Sequence, residues 1–114
     1  MDLLSHPKLG ASWEGFAIEQ VLEALRPDEA SFWGTHGGAE MDLVLQHRGR
    51  LYGVECKRTD TPRITPSIRN SLEDLSLEKV WIVYPGSRRL QLHERVEALP
   101  IAALAEPGLG LFAP

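Results

Sequence analysis

The stretch from Glu40 to Lys57, EMDLVLQHRGRLYGVECK, constrains the fold more than any other part of the chain. Its two arms alternate with period two, the signature of a strand. Met41, Leu43 and Leu45 alternate with Glu40, Asp42, Val44 and Gln46. Beyond Arg48-Gly49, Tyr52, Val54 and Cys56 alternate with Leu51, Gly53, Glu55 and Lys57. A tight turn at Arg48-Gly49 sets the register, because two- and four-residue loops give the same pairing. That pairing puts Asp42 opposite Glu55 and Glu40 opposite Lys57. The apolar face should carry Met41, Leu43, Leu45, Tyr52, Val54 and Cys56.

Two carboxylates directly opposite on a sheet repel each other and destabilise it. A cation held between Asp42 and Glu55 removes that objection, and carboxylate oxygens are the ligands Mg²⁺ prefers. Lys57 lies two residues beyond Glu55 and so projects to the same face. Two acids and one ammonium therefore converge on one patch.

An acid on one strand followed by Glu-x-Lys on the next, after an acid-bearing helix, resembles the PD-(D/E)XK nuclease superfamily. Asp42 matches its Asp, and Glu55-Cys56-Lys57 match its (D/E)-x-K. Met41 stands where the strict motif has proline. Three flanking stretches, HPKLGASWEGFAIEQVL, THGGAEMDLVL and GVECKRTDTPRITPSIRNSLEDLSLEKVWIVYPG, are similar to the nuclease-like C-terminal domain of a prokaryotic AAA-type ATPase family. That domain has no assigned function. The resemblance runs from Pro7 to Leu104. It implies a restriction-endonuclease-like αβββαβ core, with a mixed β-sheet flanked by helices. It also implies a metal site of Asp42, Glu55, the Cys56 carbonyl and Glu14, taking Mg²⁺ or Mn²⁺. The catalytic set would be Asp42, Glu55, Lys57 and Glu14, acting on phosphodiesters of DNA, branched and single-stranded forms included. An upstream or partner AAA-type ATPase is the implied associate.

The rest of the chain fits around the hairpin. Ser12 can cap a helix from Trp13 to Leu25, whose stripe is Ile18, Val21, Leu22 and Leu25, and Pro27 ends it. Glu14 is four residues before Ile18 and continues that stripe. Glu14 reads either as a carboxylate favouring the positive helix end or as a third acid of the site. Ser31-Phe32-Trp33-Gly34 is expected to form a strand, and Thr35 to Ala39 a turn containing the lone His36. Thr65 caps a second helix with Pro66 at its first position, and Ile68, Leu72 and Leu75 form its apolar stripe. Arg58, Arg63 and Arg69 follow Lys57 and are candidates for phosphate contact, or ordinary surface charge. Lys79 to Tyr84 reads as a buried strand parallel to the Glu55 strand. Leu90 to His93 reads as an edge strand, and Pro100 to Leu104 as a short helix.

The chain's 114 residues suit one domain, with 1–10 as a lead-in and 105–114 as a tail without structural signal. No long apolar run suggests a membrane span. A single cysteine excludes an internal disulfide and a cysteine-built zinc site, and a cytoplasmic setting fits. Cys56 on the apolar face reads as an inert buried thiol. A net charge of −4 argues against a strong non-specific grip on DNA. A non-catalytic module that binds nucleic acid or a partner for an ATPase is accordingly the competing reading. A third, structural reading pairs Glu40 with Lys57 across the strands.

Overall fold

The computed structural model describes residues 12–34 and 40–112. Its elements run α1 (Trp13–Leu25), β1 (Glu29–Gly34), β2 (Glu40–His47), β3 (Arg50–Cys56), α2 (Pro66–Asp74), β4 (Lys79–Tyr84), β5 (Leu90–His93), β6 (Val96–Pro100) and a terminal 3₁₀ turn (Ile101–Ala105). The fold is mixed α/β. One six-stranded sheet in the order β1-β2-β3-β4-β6-β5 lies between the two helices. The expected turn at Thr35 to Ala39, with His36, lies outside the described residues.

Both helices begin as their sequences dictate. Ser12 accepts a hydrogen bond from the Gly15 N–H at 3.0 Å, and Thr65 accepts one from Ile68 at 3.3 Å, each satisfying a donor the helix leaves open. α1 stops where Arg26 turns left-handed (φ 44°) and its N–H closes on the Leu22 carbonyl, just before Pro27. The hairpin turns through Arg48 and Gly49, both at positive φ (51° and 77°), which is the two-residue turn whose twist matches the strands. The predicted register holds from His47↔Arg50 to Leu43↔Val54.

The two faces of the sheet carry separate cores. Leu43, Leu45, Tyr52, Val54, Cys56, Trp81 and Val83 pack under α1 with Ala17, Ile18 and Val21. Val44, Val80, Ile82 and Val96 pack under α2 with Ile68, Leu72 and Leu77. Cys56 is fully buried, as its place on the apolar arm requires.

Three expectations need correction. Met41 packs under α2, on the face opposite Leu43, because β2 carries an extra residue. Ser31 pairs with Val44 but Trp33 pairs with Met41, so Asp42 and Leu43 together oppose Phe32 in a β-bulge. A one-residue slip reverses the facing of every later side chain. Second, Val96–Pro100 is a fully buried strand inserted between β4 and β5 and parallel to β4. Its alternation is hidden because both of its faces are covered. Third, the tail is not without structure and packs against the core. Leu109, Leu111 and Phe112 pack on the α1 side, and Phe112 stacks on His47 at 4.2 Å between ring centres.

Candidate functional site

The bulge decides the geometry of the site. Beyond Leu43↔Val54 the β2–β3 ladder is continued by side chains. The Asp42 N–H donates to Glu55 Oε1 at 2.7 Å, and the Cys56 N–H donates to Asp42 Oδ2 at 2.9 Å. Each acid thus accepts a backbone donor of the opposite strand. Asp42 is 1% exposed and Glu55 6%. Buried carboxylates are tolerated when hydrogen-bonded, and these two bonds offset part of the cost of the like-charge pair.

Lys57 is where its spacing from Glu55 placed it. Its Nζ lies 3.9 Å from Glu55 Oε2, and its side chain is about half exposed. The ion pair at Lys57 is therefore with Glu55. Glu40 is exposed and its N–H donates to Ser67 Oγ in the first turn of α2. That draws the start of β2 toward α2 and leaves the proposed Glu40–Lys57 cross-strand pair without support.

Glu14 lies in the first turn of α1 and is half-buried. Among the described residues no three His, Cys, Asp or Glu side chains converge as a metal-holding group, so Glu14 does not join Asp42 and Glu55 in one. The donor set still suits one ion class. A carboxylate offers about four lone-pair sites, so a single backbone bond exhausts neither acid. Mg²⁺ is commonly held by one or two carboxylates plus water and substrate phosphates. Asp42, Glu55 and the Cys56 carbonyl fit that ion, and they lack the nitrogen and sulfur ligands of a zinc site.

The three arginines separate. Arg58 is exposed directly after Lys57. Arg63 lines a small cleft together with Lys57. Arg69 lines a different cleft, of about 470 Å³, with His93, Glu94 and Arg95.

One buried acid escaped the sequence reading. Glu97 on β6 is 6% exposed. It is bound by Arg89 through both oxygens, at 2.7 and 3.0 Å, and by Lys79 Nζ at 3.2 Å. Burial pushes its carboxyl up, but the Arg89 and Lys79 hydrogen bonds and charges outweigh this and hold it below the ordinary value. The signal was available only after β6 was recognised as a strand beside Lys79.

The model of the family described as a domain of unknown function, DUF4143, matches residues 9–104. The chain belongs to that family. Two DUF4143 relatives, an uncharacterized protein of Mycobacterium bovis and one of Mycobacterium tuberculosis, are each 47% identical over 103 residues. The match covers 90% of this chain and 23% of theirs, so this DUF4143 chain spans about a quarter of the length of the curated relatives it matches. No solved structure matches it. No helix among the described residues is long and apolar enough to cross a membrane.

Proposed function

We propose that this domain is a metal-dependent DNA endonuclease of the PD-(D/E)XK type, hydrolysing phosphodiester bonds as one module of a longer protein. The observation that carries the reading is the reciprocal Asp42–Glu55 pair, set in a β-bulge with Lys57 Nζ 3.9 Å from Glu55. Bulges re-aim side chains and are over-represented beside active sites. A bound Mg²⁺ or Mn²⁺ would polarise a phosphate oxygen and acidify a bound water. Asp42 and Glu55 would hold it. The half-exposed Lys57 ammonium would orient that water and offset negative charge on the phosphate.

The second reading is a non-catalytic module that binds nucleic acid or a partner, in association with an AAA-type ATPase. Two observations favour it. The net charge is −4, and no third acid joins the pair among the described residues. The two readings part at Lys57. An ammonium beside a metal carboxylate is not needed to hold a cation, and its value lies in the reaction. Wild-type protein with Mn²⁺ is therefore expected to cut duplex, single-stranded or branched DNA. Lys57→Ala should retain the fold and metal binding and lose about 10²-fold or more in turnover. Absence of cleavage by the wild type on all three substrates would leave the binding module.

A further inference from the structure

The loop from Lys57 to Thr65 encloses a cleft of about 210 Å³, lined by Lys57, Thr59, Thr61, Arg63 and Thr65 above Pro62 and Ile68. Among the described residues no carboxylate lines it, although Asp60 stands exposed in the same loop and the chain as a whole carries a net charge of −4. The other arginine-bearing cleft differs, since Glu73 and Glu94 share it with Arg69 and Arg95.

The hydroxyls are held with their acceptors engaged. Thr59 Oγ1 accepts from the Thr61 N–H at 3.2 Å, and Thr65 Oγ1 accepts from the Ile68 N–H at 3.3 Å. A hydroxyl has one donor and two acceptor positions, so each of these keeps its O–H to donate. The Lys57 N–H is tied to the Val83 carbonyl at 2.9 Å, which fixes the start of the loop to the sheet. Among the described residues the Arg63 guanidinium makes no hydrogen bond or ion pair. The cleft thus presents donors and positive charge. Its volume is below the roughly 300–1,000 Å³ of a site for a whole small molecule. It suits one group of a larger ligand lying across it.

We propose that this cleft seats a backbone phosphate of a nucleic-acid strand, next to the phosphate that meets Asp42 and Glu55, with Arg63 and the Thr59 and Thr65 hydroxyls as its donors. The placement of the strand rests on the nuclease reading of Asp42 and Glu55, but the phosphate contact itself does not require cleavage.

The experiment measures binding of a short fluorescein-labelled single-stranded oligodeoxynucleotide to the 114-residue protein by anisotropy across a salt series, in EDTA. Arg63→Ala should weaken binding and reduce the slope of log K against log salt by about 0.7, the value for one lost phosphate contact on a single strand. Thr59→Val should weaken binding roughly two- to tenfold with the slope unchanged, because a neutral donor releases no counterion. Arg95→Ala, in the mixed-charge cleft, should change neither. Unaltered far-UV circular dichroism confirms that the variants fold. Failure of the wild type to bind overturns the proposal, as do an Arg63→Ala slope equal to wild type and an equal loss in Arg95→Ala. A wild type that binds with the Arg63-dependent slope but cuts nothing when Mn²⁺ is added upholds the cleft and removes the nuclease.

Discussion

Glu97 and the Asp42–Glu55 pair are both buried carboxylates on one sheet, and they are satisfied in opposite ways. Glu97 is bound by charges, with a guanidinium on both oxygens and an ammonium at 3.2 Å. Asp42 and Glu55 each accept a backbone N–H of the opposite strand, and among the described residues Lys57 Nζ lies 3.9 Å from Glu55. A carboxylate neutralised by two cations has little attraction left for a metal. A carboxylate held by neutral donors is aimed by bonds that bring no opposing charge. The comparison separates an acid that fastens β6 to its neighbours from a pair that, on the proposed reading, would hold a metal ion.

The sharpest way to break the comparison is to neutralise each acid in turn. Asp42→Asn keeps an oxygen for the Cys56 N–H and removes one of two adjacent negative charges. It should leave the metal-free melting temperature no lower than wild type while cutting DNA cleavage by about 10²-fold or more. Glu97→Gln should do the reverse. Cleavage per folded molecule stays, and stability falls by about 2 kcal/mol. That is less than the roughly 3–5 kcal/mol of breaking a fully buried pair, because Lys79 and Arg89 are 31% and 44% exposed and can turn to water. Chemical denaturation and a cleavage assay on both variants decide it, and an Asp42→Asn protein that melts early but still cuts inverts the assignment.

Acid titration sharpens the same contrast. The folded Glu97 carboxyl titrates below its ordinary 4.5. Its contribution to stability is therefore complete above the unfolded value and is lost as pH falls through the lower, folded value. The stability gap between wild type and Glu97→Gln should be constant from pH 7 down to about 5, then close on further acidification. Urea midpoints at a series of pH values measure it. A gap that widens in acid would mean that Glu97 is not paired as a carboxylate.

The hairpin's register, both helix caps and the buried β4 were legible because each is a local rule with a local sequence signal. The turn at Arg48-Gly49 fixes the pairing, and Ser12 and Thr65 mark the helix starts. What escaped depends on contacts distant in the chain. The bulge at Asp42–Leu43 arises from pairing with β1, so Met41's reversal cannot be read from alternation within β2. β6 is covered on both faces and shows no alternation. The tail reads as punctuation, yet Phe112 finds His47 and Tyr52 on the sheet. The proximity of Asp42, Glu55 and Lys57 was legible from register alone. That a backbone donor reaches each acid was not, because their availability follows from the bulge.

A metal titration tests the acids' difference directly. An ion that binds only the folded protein stabilises it by about 2.7 kcal/mol at a concentration one hundred times its Kd. Mn²⁺ at that concentration should therefore raise the wild-type melting temperature by roughly 10 °C. The response should vanish in Asp42→Asn and persist in Glu97→Gln. An equal response in wild type and Asp42→Asn would place the ion elsewhere.

The smallest expected effect concerns the packing that supports the site from below. Gly53 lies in β3, two residues before Glu55, under the side chains that the bulge redirects. A Cβ there would lie 2.9 Å from Leu77 Cδ1 and 3.1 Å from Met41 Sδ. Both neighbours are buried, so neither can swing into solvent. Gly53→Ala should cost about 1 kcal/mol through overpacking, at the low end for such changes because the touching atoms are side-chain ends. The consequence for the site is specific. Met41 precedes Asp42, so displacing its side chain should loosen the bulge and weaken the Mn²⁺ response more than the melting temperature. If Gly53→Ala lowers stability by that amount and leaves the metal response whole, Asp42 is held by its hydrogen bonds with Cys56 and Glu55 and not by the packing of Met41.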